Sequence, residues 1–134
     1  MEAEQKRNAL KTYFGYDTFR PGQEEIIDQI LSGRDVLAVM PTGAGKSICY
    51  QLPALLLPGT AIVVSPLISL MMDQVKALNE AGVHAAYINS SLSERQTARA
   101  LELAKEGRYK LIYVAPERLE TRRFLDFACH AQIS

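Results

Sequence analysis

Cysteine is scarce: Cys49 and Cys129 are the only two, too few for a disulfide framework or a four-cysteine zinc site. The expected compartment is therefore reducing. Long apolar runs are missing, and no stretch reaches the roughly 18 residues that a membrane-spanning helix requires. The first residues, MEAEQKRNALKTYFGY, hold no apolar segment of the kind found in a secretory signal. A cytoplasmic location is expected, nucleoid-associated if the source is bacterial. In that setting the glycosylation-type triplet Asn89-Ser90-Ser91 reads as a chance match. Net charge is missing too, since 15 Lys and Arg balance 15 Asp and Glu. Binding of polyanions by bulk charge is thereby excluded, and any nucleic-acid contact must be local. No Pro/Gly/Ser linker, internal repeat or low-complexity tract divides the chain.

What remains is a 134-residue sequence, 48% hydrophobic and 22% charged, of ordinary single-domain size. That apolar content argues against disorder. Residues 3–13 read as a helix ending before Gly15. Residues 22–31 carry Ile26, Ile27, Ile30 and Leu31 at helical spacing, with Pro21 in front and Gly33 just behind. The runs 35–40 (DVLAVM), 60–65 (TAIVVS), 84–89 (HAAYIN) and 110–115 (KLIYVA) are short, apolar and rich in β-branched or aromatic residues, and read as buried strands. Helical patterns lie between them, over 46–56, 67–80 and 93–106, and a last helix is expected over 121–129. In 67–80 the residues Leu67, Leu70, Met71, Val75 and Leu78 are expected on one core-facing side. Ser93 and Gln96 form a capping box, and Gly107 ends that helix. Alternating strands and helices imply parallel βαβ units, with a sheet covered on both faces. Ligands of such sheets bind beyond the carboxyl ends of the strands, so chemistry is expected just after positions 40, 65, 89 and 115.

After the first of these strands stands Met40-Pro41-Thr42-Gly43-Ala44-Gly45-Lys46-Ser47. Glycines let a chain wrap a phosphate group with its N–H groups turned inward. Lys46 offers a positive charge to β- and γ-phosphates, and the Ser47 hydroxyl can ligate Mg²⁺. A helix starting at Lys46 adds the positive end of its dipole. The strict G-x-x-x-x-G-K-[ST] pattern wants glycine where Met40 stands, so this is a variant of the Walker A loop. Cys49, next in the helix, is expected to be a small buried hydrophobe.

With this loop in view, four blocks together resemble the RecQ family of superfamily 2 DNA helicases: FGYDTFRPGQEEII, VMPTGAGKSICYQLPALLL, VVSPLISLMMDQV and LIYVAPERL. They run from about residue 13 to residue 119, in the family's order and spacing. The resemblance implies an α/β P-loop NTPase (RecA-like) parallel sheet with helices on both faces, incomplete at its C-terminal end. It also implies ATP and Mg²⁺ as cofactors, single-stranded and duplex DNA as partners, and 3′ to 5′ unwinding in recombination and repair. Gln23 matches the family's adenine-reading glutamine, whose carboxamide pairs a donor with an acceptor. Tyr16 and Arg20 match the residues that sandwich the purine, although Tyr16 also fits a surface aromatic packed on a helix. Phe14 and Phe19 are expected in the core. Pro41, Thr42, Gly43, Ala44, Gly45, Lys46 and Ser47 match the phosphate loop. Ser65, Pro66 and Ser69 match motif Ia, beside single-stranded DNA. Asn89 and Ser90, at the next strand end, are DNA contacts or a plain turn. Pro116 and Arg118 match motif Ib. Arg118 holds a phosphate or pairs with Glu117 or Glu120.

Two departures accompany the resemblance. Ala44 stands where the family usually has a third glycine. If that position required positive φ, alanine would cost about 1 kcal/mol or more. No Asp-Glu-x-His run occurs anywhere in the sequence. In the family that box holds Mg²⁺ and positions the attacking water. Residues 1–134 are therefore expected to be the N-terminal part of the helicase ATP-binding domain. The second RecA-like domain, the zinc-binding cysteines and later domains are absent from it. Such a piece is expected to bind MgATP with little turnover. The alternative is a non-catalytic ATP- or DNA-binding module. A small-molecule P-loop kinase is disfavoured by the motifs flanking the loop.

Overall fold

The computed structural model describes residues 3–40 and 45–134, and the chain divides after Leu57 into two units.

In the first unit, helix α1 (Ala3–Ala9) continues into a wider helical turn over Leu10–Phe14 and stops at Gly15. Helix α2 spans Gln23–Leu31, and helix α3 spans Lys46–Leu56. The helices meet because each has one apolar face. Ala9, Leu10, Ile27, Ile48 and Leu52 form the buried cluster, and Phe14, Phe19, Leu31 and Leu56 pack around it. Phe14 and Phe19 thus take the core positions expected of them. Cys49 is buried in α3, and burial pushes its thiol above the ordinary range, so it packs as a small hydrophobe. Lys6 of α1 is buried, yet its ammonium lies between the carboxylates of Glu24 and Asp28, one turn apart on α2.

The expected strand over 35–40 does not form. Residues 34–40 are irregular, and Leu37 and Val39 are 93% and 90% exposed. An apolar run reports that side chains can be buried. It carries no information on whether a neighbouring edge exists to pair the backbone. No described residue supplies one to this segment.

The second unit is a βαβαβ arrangement. Strands β1 (Ala61–Val64), β2 (Ala85–Ile88) and β3 (Leu111–Val114) form a parallel sheet in the order β1-β3-β2. The register is in step: Val64 and Ile88 both lie level with Val114. Helix α4 (Ile68–Glu80) connects β1 to β2, and helix α5 (Glu94–Lys105) connects β2 back to β3. The two crossovers run in opposite directions across the sheet, so right-handed connections place α4 and α5 on opposite faces. Met71, Val75 and Leu78 are the buried positions of α4. On the α5 face, Ile88, Ile112 and Val114 pack with Leu101 and Ala104, and with Phe124 and Phe127 of helix α6 (Arg122–His130). The two phenyl rings meet at 5.7 Å, tilted by 58°. The Ser93–Gln96 capping box forms as expected, with bonds of 2.9 and 3.1 Å.

Leu67 and Leu70, expected in the core of this unit, are exposed instead. Leu67 precedes the first turn of α4, and the stripe at 71, 75 and 78 already covers the sheet. On the outer side of β1, Thr60 pairs with the end of the chain, its N–H donating to Gln132 at 2.8 Å and its carbonyl accepting from Ser134 at 2.9 Å. Gly59 makes this possible. Its φ is +84°, and a Cβ there would lie 2.7 Å from the Gln132 carbonyl oxygen.

Candidate functional site

In the first unit the site is built around the start of α3. Gly45 takes φ +78° and hands the chain into the helix at Lys46. Four N–H groups at such a start have no partner within the helix, and the dipole points its positive end the same way. Lys46 is exposed and Ser47 half-buried. Neither side chain bonds to another described residue, so both are available to an anion and its cation. The donor set suits a magnesium–triphosphate: a point charge, a hydroxyl and a row of amides at a helix N-terminus. Pro41, Thr42, Gly43 and Ala44 lie outside the described residues.

Gln23 faces this point from α2. It is 2% exposed, and both ends of its carboxamide are engaged. Its Oε1 accepts from the Arg20 backbone N–H at 2.8 Å, and its Nε2 donates to the Gly45 carbonyl at 3.0 Å. Each end keeps further capacity, a second lone pair on Oε1 and a second N–H on Nε2. The glutamine expected to read a base is therefore tied directly to the glycine that opens α3. The aliphatic stem of Arg20 passes the same place, its Cδ 3.7 Å from where a Gly45 Cβ would stand. Tyr16 lies on the turn before α2 and is 49% exposed, its ring presented to solvent. No spacing rule links positions 23 and 45, and sequence reading missed the bond between them.

In the second unit, the in-register parallel strands bring three expected DNA-contact segments to one end of the sheet. Ser65 follows β1, Asn89 and Ser90 follow β2, and Pro116 follows β3. Pro66 and Ser69 are exposed in the turn and first residues leading into α4. The Ser65 hydroxyl accepts from the Leu67 N–H at 3.3 Å and so shapes that turn. Ser90 is exposed.

Asn89 fits the second of its two readings, the turn. It is 0% exposed, its Oδ1 accepts from the Ser91 N–H at 2.8 Å and hydroxyl at 2.5 Å, and its Nδ2 points to Met71 Sδ at 3.5 Å. A side chain enclosed and bonded in this way braces the loop; it does not present itself to a ligand. For Arg118, the alternative of a surface pair is not seen. Its backbone closes a short helical turn over Pro116–Arg118, and no carboxylate among the described residues, Glu117 and Glu120 included, pairs with its guanidinium.

Comparison with known proteins decides the family. The profile described as "DEAD/DEAH box helicase" matches residues 20–129. The chain belongs to the DEAD/DEAH box helicase family. Within that family it is 55% identical over 120 residues to the ATP-dependent DNA helicase RecQ of Bacillus subtilis, covering 89% of this chain and 20% of that protein. The ATP-dependent DNA helicase RecQ of Haemophilus influenzae is 45% identical over 126 residues, covering 94% and 20%. The DEAD/DEAH chain thus spans about a fifth of the length of these curated relatives. Its fold resembles the crystal structure of a hypothetical ATP-dependent RNA helicase from Sulfolobus tokodaii. The TM-score is 0.70 at 21% identity, over 96% of this chain and 37% of that one. The architecture is a RecA-like parallel sheet with helices around it, as the motifs lead one to expect.

Proposed function

We propose that this chain is the N-terminal, nucleotide-loading part of the ATP-binding domain of a RecQ-type DNA helicase, which unwinds DNA in the 3′ to 5′ direction in recombination and repair. The observation that carries the reading is the bond from Gln23 to the Gly45 carbonyl. It supports the reading because it ties the segment proposed to read the base to the glycine that precedes α3. In this reading Tyr16 and Arg20 hold the purine between ring and guanidinium, and Gln23 reads its edge. Gly45 and the first amides of α3 receive the phosphates together with Pro41, Thr42, Gly43 and Ala44. Lys46 neutralises charge on the terminal phosphates and Ser47 holds Mg²⁺. When bound, MgATP supplies the phosphoryl group whose transfer to water powers strand separation. Ser65, Pro66, Ser69, Ser90, Pro116 and Arg118 contact the backbone of single-stranded DNA, through N–H groups, hydroxyls and one guanidinium.

Positioning and charge stabilisation make up nearly all of phosphoryl-transfer catalysis. Lys46 and Ser47 supply the binding half. The acidic Asp-Glu-x-His run that orients water does not occur in these 134 residues. Binding without useful turnover is therefore expected of the chain by itself. Titration with a fluorescent ATP analogue, with and without Mg²⁺, tests the site. Lys46→Ala is expected to weaken MgATP at least tenfold. Gln23→Ala is expected to weaken ATP more than tripolyphosphate, and equal losses would remove the base-reading role.

A further inference from the structure

The second unit holds a feature outside both sites: a cleft of about 500 Å³ along the free edge of β2, walled by α4 on one side and α5 on the other. Strand β2 lies at the end of the sheet, paired only with β3 among the described residues. Its backbone alternates. The carbonyls of His84 and Ile88 accept from Lys110 and Ala115 on the β3 side. Residues 85 and 87 therefore turn their N–H and C=O outward. At Ala85 both outward groups are already taken by one side chain. Asn79 of α4 accepts from its N–H at 3.0 Å and donates to its carbonyl at 3.3 Å. The carboxamide copies what a neighbouring strand would do, and two residues further on Tyr87 repeats the same outward pair with no such plug among the described residues.

The walls differ in charge. On α5, Arg95 and Arg99 are one turn apart, and both line the cleft. Arg99 meets Glu102 at 3.5 Å, whereas Arg95 has no ion pair among the described residues. On the α4 side, Asp73 and Glu80 flank Lys76 in the adjoining hollow that Tyr87 also lines.

We infer that the free edge of β2 is a docking groove for an extended acidic peptide segment of a partner protein, added as a further strand with its carboxylates toward Arg95 and Arg99. Three observations choose this occupant. An outward N–H next to an outward C=O matches another peptide backbone, whereas a phosphodiester offers acceptors alone. The acidic residues of the α4 wall oppose a polyanion that would touch both sides. A second copy pairing edge to edge about a two-fold axis would bring its own Arg95 and Arg99 against these, like charge on like. The inference stands apart from the nucleotide reading and uses none of its residues.

The probe is a fluorescein-labelled octapeptide alternating valine and glutamate, followed by anisotropy against the purified chain. Saturable binding is expected, at least tenfold weaker in an Arg95→Glu/Arg99→Glu variant, both positions being exposed. That variant is expected to gain binding of the valine–lysine octapeptide. Amide exchange at Tyr87 is expected to slow in the complex, which a merely electrostatic contact would not produce. Absence of saturable binding, binding that leaves Tyr87 exchange unchanged, or a thymidine oligonucleotide displacing the peptide from these arginines would each overturn the proposal.

Discussion

The bond between Gln23 and Gly45 joins two segments 22 residues apart, and its strength can be isolated by a double-mutant cycle. Gly45→Ala acts twice. At φ +78° an L-residue costs roughly 1–2 kcal/mol in backbone strain. The new Cβ would also lie 2.3 Å from Gln23 Nε2, so the carboxamide must leave its place. It then forfeits its bonds to the Gly45 carbonyl and the Arg20 N–H, each worth about 1 kcal/mol net. The single variant is expected to lose about 3–4 kcal/mol. Gln23→Ala alone forfeits the same two bonds without the strain, about 2 kcal/mol. In the double variant the bonds are lost once and the clash has no object. Its cost should fall short of the sum by about 2 kcal/mol. Urea unfolding of the four proteins, read as midpoints at constant slope, gives the coupling. Additivity within about 0.5 kcal/mol would show that the two residues act independently and that the site is two pieces, not one.

Other parts of the chain make separate predictions. Thr97 is buried in α5 and its hydroxyl has no partner among the described residues, so Thr97→Val should be neutral or stabilise by about 1 kcal/mol in thermal unfolding. Gly59→Ala should cost more than 2 kcal/mol by the same measure, because strain at φ +84° adds to a clash with backbone that cannot swing away. For Lys6, its hydrogen bond to Asp28 first, and then Glu24, holds the ammonium above its ordinary range against the opposing effect of burial. A raised value in the folded state gives stability that is complete below the unfolded pKa of about 10.4, and lost as pH rises through the folded value. Urea midpoints followed into alkali should fall for the parent chain and fall less for Lys6→Met, a difference of about 1 kcal/mol, since both carboxylates are part-exposed to solvent.

Helices α2 to α6 fall within a residue or two of where periodicity, caps and glycines put them, as do strands β1 to β3. Each of these signals is local. The capping box needs positions 93 and 96 alone, and the stripe of α4 needs only its own turn spacing. The start of α3 at Lys46 is legible for the same reason, whereas Pro41, Thr42, Gly43 and Ala44 of the expected phosphate loop lie outside the described residues. What escapes is whatever depends on a distant partner. DVLAVM has the composition of a strand, but strand formation is a property of a pair of segments, and composition reports one of them. Asn89 looks like a free polar residue at a strand end until the loop folds back and Ser91 claims its oxygen. Leu67 and Leu70 carry the right chemistry for a core already filled by Met71, Val75 and Leu78.

The same distinction explains why the setting of Gln23, the residue proposed to read the base, resists inference from pattern. A glutamine in the first turn of a helix is ordinarily a solvated side chain. Gln23 is buried because the fold brings the Gly45 carbonyl to it and the Arg20 N–H closes behind it. Those two bonds fix the orientation of the carboxamide, which otherwise flips freely between donor and acceptor. A base contact made through the remaining N–H and lone pair would then be read in one sense only. Discrimination of adenine from guanine, which offers two acceptors where adenine pairs a donor with an acceptor, would follow from a bond to the chain's own backbone. Gln23→Glu sharpens the point: a carboxylate cannot donate to the Gly45 carbonyl, so this near-isosteric change should lose both the anchor and the preference for ATP over GTP. A variant that kept the preference would place base reading elsewhere.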